Sequence, residues 1–120
     1  MSWHLDQSRP ICPQLCEHIC VQIATGELKA GERLPSVRDM AMQAGVNPNT
    51  VQKAFQQLEQ NGLLYSVWGS GWFVGESTTI ADETRENLVK QKTALFFEEM
   101  RQLGFDEGQT KEWIGGWNRE

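Results

Sequence analysis

Between Pro35 and Asn61 the chain carries two helix-start signals so close together that only a tight helix pair can be built on them. Ser36-Val-Arg-Asp39 is the first, with a serine hydroxyl placed to accept an orphan amide of the opening turn. The segment it opens buries Val37, Met40, Ala41 and Ala44 on one stripe, and Gly45 stops it. After only Gly45 and Val46, Asn47-Pro48 supplies a second cap followed by proline at a first helical position. Val51, Ala54, Phe55 and Leu58 form the stripe of that next helix, which Asn61-Gly62 ends. Two helices joined by a very short glycine-containing turn are the signature of a helix-turn-helix.

The flanks fit that motif. From Pro13 to Thr25, Leu15, Ile19 and Ile23 recur on one helical face, with Gly26 as a stop. Leu28 to Pro35 reads as a turn-rich connector. After the helix pair, Leu63–Val67 and Trp72–Gly75 are short β-prone runs, with Trp68-Gly69-Ser70-Gly71 as the hairpin tip. A hairpin in that place is a wing. The expected class is mainly α with a small β-hairpin: a winged helix-turn-helix over residues 1–76, followed by a helical tail over 77–120. The polar run Glu76–Thr79 marks the hinge. In the tail a helix from about Asp82 to Leu103 lines up Leu88, Leu95, Phe96, Met100 and Leu103. Asp106, with Gln109 behind it, caps a last short helix carrying Trp113, Ile114 and Trp117. Such an apolar face needs a cover, either the winged helix itself or a second copy of the chain.

A helix-turn-helix sets the first residues of its second helix against base edges, with the preceding helix crossing the backbone. Opposite the Val51/Phe55/Leu58 stripe stand Asn49, Thr50, Gln52, Lys53 and Gln56, behind Asn47 and Pro48. Asparagine and glutamine can read adenine bidentately, threonine suits a phosphate or a thymine methyl, and Lys53 adds charge. The competing reading is the ordinary solvated face of an amphipathic helix. Arg38 lies off the buried stripe near a helix N-terminus, where a cation gains nothing from the helix dipole, so a phosphate clamp or guanine contact explains it better. In the wing, Gly69 and Gly71 either let a phosphate approach or simply make the turn. Trp68 either presses on the groove wall or folds back on the body.

Charge gives this reading no broad support. The net charge is −5, and residues 1–76 hold five basic groups (Arg9, Lys29, Arg33, Arg38, Lys53) against seven acidic ones. Affinity for a polyanion must therefore come from local placement. No apolar run suits a bilayer span or a signal peptide, which leads to the expectation of a cytoplasmic protein with no membrane partner. Cys12, Cys16 and Cys20 repeat every four residues along the first helix. They serve either as small buried hydrophobes or as a thiol cluster for metal or oxidant sensing, although His4 and His18 are poorly placed to complete a metal site. No nucleophile–base pair, phosphate loop or carboxylate pair suggests an enzyme, and no metal or cofactor is expected.

The run Leu34-Pro-Ser-Val-Arg-Asp-Met-Ala41, then Gly45-Val-Asn-Pro-Asn-Thr-Val51, Lys53-Ala-Phe55, Leu58-Glu59 and Gly62-Leu63, resembles the DNA-binding domain of the GntR family. Pro10–Leu15 is similar to the family's opening, and Gly69-Ser-Gly71-Trp-Phe-Val74 to its wing. The resemblance implies a homodimeric regulator on a palindromic double-stranded DNA operator. Its contacts would fall on Ser36, Arg38, Pro48, Asn49, Thr50, Gln52 and the wing tip around Gly69. The chain departs from the pattern in two places: the wing lacks the usual basic residues, and Cys12 stands where an aromatic is common. The two-helix tail resembles the short YtrA-like branch, whose helices form the dimer interface. A repressor acting near its own operon follows as the expected function. The alternatives are a winged-helix module that binds a protein, or a thiol-based metal- or redox-responsive regulator.

Overall fold

A computed structural model describes residues 4–77 and 79–118, and in it both capped segments are helices. The elements run α1 (Ile11–Ala24), α2 (Val37–Ala44), α3 (Pro48–Gln60), β1 (Leu64–Val67), β2 (Gly71–Val74), α4 (Thr79–Gln102) and α5 (Glu107–Gly115). This is the mainly helical winged architecture expected from the sequence. The chain divides into two compact units, one through Arg85 and one from Glu86. Among the described residues no helix is long and apolar enough to cross a membrane.

In the first unit the caps work as the sequence suggests. Ser36 Oγ accepts the Asp39 amide at 3.1 Å, and Asn47 Oδ1 accepts the Asn49 amide at 2.8 Å. Between the helices Gly45 adopts φ +69°, a left-handed conformation that a side chain would disfavour. Helix α1 begins at Ile11, two residues ahead of the proline signal; Pro13 falls in the first turn, where its missing N–H costs no hydrogen bond.

The core is built on α3, whose Val51, Ala54, Phe55 and Leu58 are at most 1% exposed. Leu15, Ile19 and Ile23 of α1 and Met40 and Ala41 of α2 close over them. Val37 and Ala44, also expected on the α2 stripe, are only half-buried, because they stand at the two ends of an eight-residue helix.

The hairpin pairs antiparallel from Leu64↔Val74 to Val67↔Gly71, leaving residues 68–70 as the loop. Trp72 meets Phe55 edge-on at 5.5 Å, and Ser66 Oγ donates to Glu59 at 2.8 Å, so the wing is fastened to α3 by both apolar and polar contacts. The connector before α2 is not merely a turn. Gly31 N donates to Val74 O, Val74 N to Glu32 O and Leu34 N to Trp72 O, each at 2.9 Å, and Arg33 bridges antiparallel to Phe73. So short an edge, flanked by Gly31 and Pro35, has no alternation to reveal it in sequence.

In the second unit Asp106 and Gln109 form a reciprocal capping box on α5, with bonds of 2.8 and 2.9 Å. Phe105 meets Trp113 edge-on, and Thr110 is buried while donating to Asp106 O at 2.8 Å. Two residues expected on helical faces lie just outside them. Leu103 follows the end of α4, and Trp117 follows α5, which stops as soon as the low-propensity Gly115-Gly116 pair is reached.

Phe55 is fully buried and touches the wing through Trp72. Replacing it in F55A should cost about 3–5 kcal/mol of unfolding free energy, read from the shift of a urea denaturation midpoint at constant slope.

Candidate nucleic-acid interface

Burying the α3 stripe decides what the rest of α3 presents. Asn49, Lys53 and Gln56 are exposed, and Thr50 and Gln52 are half-buried beside them. Asn47 uses its side-chain oxygen in the cap, which leaves its amide NH2 to donate, and Pro48 is exposed in the first turn. One short helical face thus presents several side-chain hydrogen-bond donors and acceptors to solvent.

On α2, Arg38 is exposed and makes no ion pair among the described residues. Lys53 is likewise unpaired there. In the second unit, by contrast, Lys90–Glu86 and Lys111–Glu107 pair across one helical turn. Ser36 accepts the Asp39 amide and keeps its hydroxyl proton to donate outward.

The wing tip consists of Trp68, Gly69 and Ser70, all exposed. Trp68 is 101% exposed, so the ring stands in solvent rather than folded against the body. No cation lies in this loop. Sequence reasoning missed Arg33, which the edge pairing with Phe73 brings beside the wing. Its signal, a lone arginine in a turn-rich connector, is too weak to find alone.

The tail residues all lie in the second unit. Leu95, Phe96, Leu103, Trp113 and Trp117 are 40–77% exposed, and Leu88 and Met100 are half-buried.

Cys12 and Cys16 come together at Gln57, and Cys20 stands apart from them. Cys20 is buried, with its Sγ 3.8 Å from Ala81 O, whereas the Cys12 and Cys16 thiols lie 3.9 and 3.8 Å from Gln57 Oε1 on α3. Among the described residues no group of three or more His, Cys, Asp or Glu could hold a metal ion. Burial, followed by the neighbouring Cys12, pushes the Cys16 thiol up to about 12, and burial raises Cys20 as well. A thiol held protonated is a poor nucleophile toward oxidants, which speaks against sensing at these two sites. From about pH 9.0 to about 12 the unfolded chain releases a Cys16 proton that the folded chain retains, so stability falls as pH rises through that window. In C16A the decline of the denaturation midpoint with alkaline pH should be shallower than in the parent, with Cys20 accounting for part of what remains.

Residues 13–74 match the sequence profile described as "Bacterial regulatory proteins, gntR family". The chain is 34% identical to the uncharacterised HTH-type transcriptional regulator YhcF of Bacillus subtilis, across 95% of this chain and 94% of YhcF. It is 33% identical to the HTH-type transcriptional repressor YtrA of the same organism, across 82% of this chain and 72% of YtrA. Among solved structures, a GntR family transcriptional regulator from Listeria monocytogenes superposes with a TM-score of 0.81 at 33% identity, covering 95% of this chain and all of that one. The DNA-binding domain of AraR in complex with operator ORX1 superposes with a TM-score of 0.54 at 33% identity, over 62% of this chain and 92% of that domain. With the family's model matching residues 13–74 and YhcF matched over 94% of its length, the chain belongs to the GntR family of bacterial transcription regulators.

Proposed function

We propose that the protein acts as a homodimeric repressor in the cytoplasm, with α3 set in the major groove of a palindromic operator near its own gene. The observation that carries this reading is the outward face of the α2–α3 pair: Arg38 and Lys53, without a carboxylate partner among the described residues, frame Asn47, Asn49, Thr50, Gln52 and Gln56. Arg38 clamps a phosphate or reads guanine, the amide side chains read adenine, and Ser36 and Thr50 donate to the backbone. Pro48 lets the first turn come close to the groove, while Trp68 and Gly69 bring the wing against the adjoining groove wall. The AraR complex supports this as a family precedent for a domain of this fold on operator DNA.

Residues 1–76 carry DNA recognition and 77–120 carry pairing. The exposed Leu95, Phe96, Leu103, Trp113 and Trp117, together with Leu88 and Met100, are the surface that a second copy covers. A two-fold protein suits a two-fold operator. Repression suits so small a regulator, because occupancy alone blocks a promoter. The name of YtrA, a transcriptional repressor, points the same way.

A fluorescence-anisotropy titration of DNA from upstream of the protein's own gene, across a salt series, tests the DNA reading. R38A should weaken that binding by about 1–3 kcal/mol, roughly 5- to 150-fold. Equal affinity for this DNA and for a shuffled duplex would overturn sequence-specific recognition, and no binding at all would point to a protein partner. Light scattering should find a dimer. F96E, with the circular dichroism of the parent, should run as a monomer and lose operator affinity.

A further inference from the structure

We infer that Arg33 supplies the phosphate contact that the wing's own loop lacks; the inference rests on the DNA-binding reading above. Residues 68–70 contain an exposed tryptophan, a glycine and a serine, and the strand position before them, Val67, is 43% exposed. Such a tip offers a phosphate hydrogen bonds but no charge. The charge comes from another part of the chain. Residues 31–34 are hydrogen-bonded along β2, and the Arg33↔Phe73 bridge fixes the register so that the arginine runs beside the hairpin.

At Gly71, where the loop re-enters the sheet, a Cβ would stand 3.6 Å from both Nε and one terminal nitrogen of the Arg33 guanidinium. With φ at +107° and no side chain there, Gly71 leaves the guanidinium a bare backbone to lie against. Arg33 is exposed and has no ion pair among the described residues. Glu32, its neighbour in the chain, turns its carboxylate to the Lys29 amide at 3.2 Å.

An arginine rooted on a paired strand edge has lost part of its freedom before DNA arrives, and its fork matches two phosphate oxygens. A phosphate contact is blind to sequence, which separates the role of Arg33 from that of Arg38. Removing one such contact should lower the dependence of log affinity on log salt by about 0.9 per protomer, a loss of roughly eightfold per protomer at 0.1 M salt.

The experiment uses two fluorescein-labelled duplexes of equal length, one from upstream of the protein's own gene and one of random sequence, titrated from 50 to 200 mM KCl. R33Q should weaken binding to both duplexes by similar factors and flatten both salt slopes, while R33K keeps the slope. S70R placed in the R33Q background returns a cation to the tip and should restore the slope, even if R33Q alone melts lower than the parent. Parent-like slopes in R33Q, a loss confined to the upstream duplex, or no restoration by S70R would each overturn the role of Arg33 while leaving the DNA reading intact. If the parent protein bound neither duplex, the DNA reading itself would fail and this inference with it.

Discussion

The burial of one face of α3 against α1 and α2 is the constraint from which the rest of this regulator follows. Val51, Ala54, Phe55 and Leu58 are almost wholly removed from water. Val51, Phe55 and Leu58 each contribute on the order of 1.5–3 kcal/mol of transfer free energy, in a fold whose net stability is of order 10 kcal/mol. The helix therefore cannot rotate about its axis without giving up much of its stability. That locking holds Asn49, Lys53 and Gln56 outward. Phe55 extends the same core to Trp72, so the wing is indexed to α3 as well. The outward presentation of these side chains and the stability of the fold thus rest on the same few apolar contacts.

Electrostatics enters as placement rather than as total charge. A chain of net charge −5 can present a surface for an anion only if its acids are directed elsewhere. Glu59 is held by Ser66, and Glu32 by the Lys29 amide. In the second unit much of the acidic charge is paired along its own helices, as in Lys90–Glu86, Arg101–Glu98 and Lys111–Glu107. Arg33, Arg38 and Lys53 have no such partner among the described residues. The Glu98 carboxyl is held below its ordinary range by the hydrogen bonds from Arg101, the local pairing expected of a solvated helix.

The second unit has a different logic. Its capping box and the buried Thr110 fix the local turn between α4 and α5, yet its large apolar side chains remain in solvent. Seven of them are more than a third exposed: Val89, Leu95, Phe96, Leu103, Trp113, Ile114 and Trp117. Scattered exposed residues of this kind are ordinary on a protein surface; here they are concentrated on a 33-residue stretch of described chain.

Local signals carried most of this far in the sequence alone. The helix starts at Ser36 and Asn47, the stop at Gly45, the α3 stripe and the hairpin glycines act over a few residues, where side-chain chemistry and backbone preference decide conformation directly. The outward residues of α3 follow from the same periodicity, and the motif around them makes the family legible. What tertiary structure alone decided is non-local. The 31–34 edge depends on pairing with a strand about forty residues later, and a single bridge leaves no periodic trace in the chain. The separation of Cys20 from Cys12 and Cys16 depends on which helix each thiol meets, not on their even spacing. Sequence determined that this chain reads as a winged helix. Packing determined that the charge beside its wing comes from Arg33, because only the folded sheet brings that residue to Gly71.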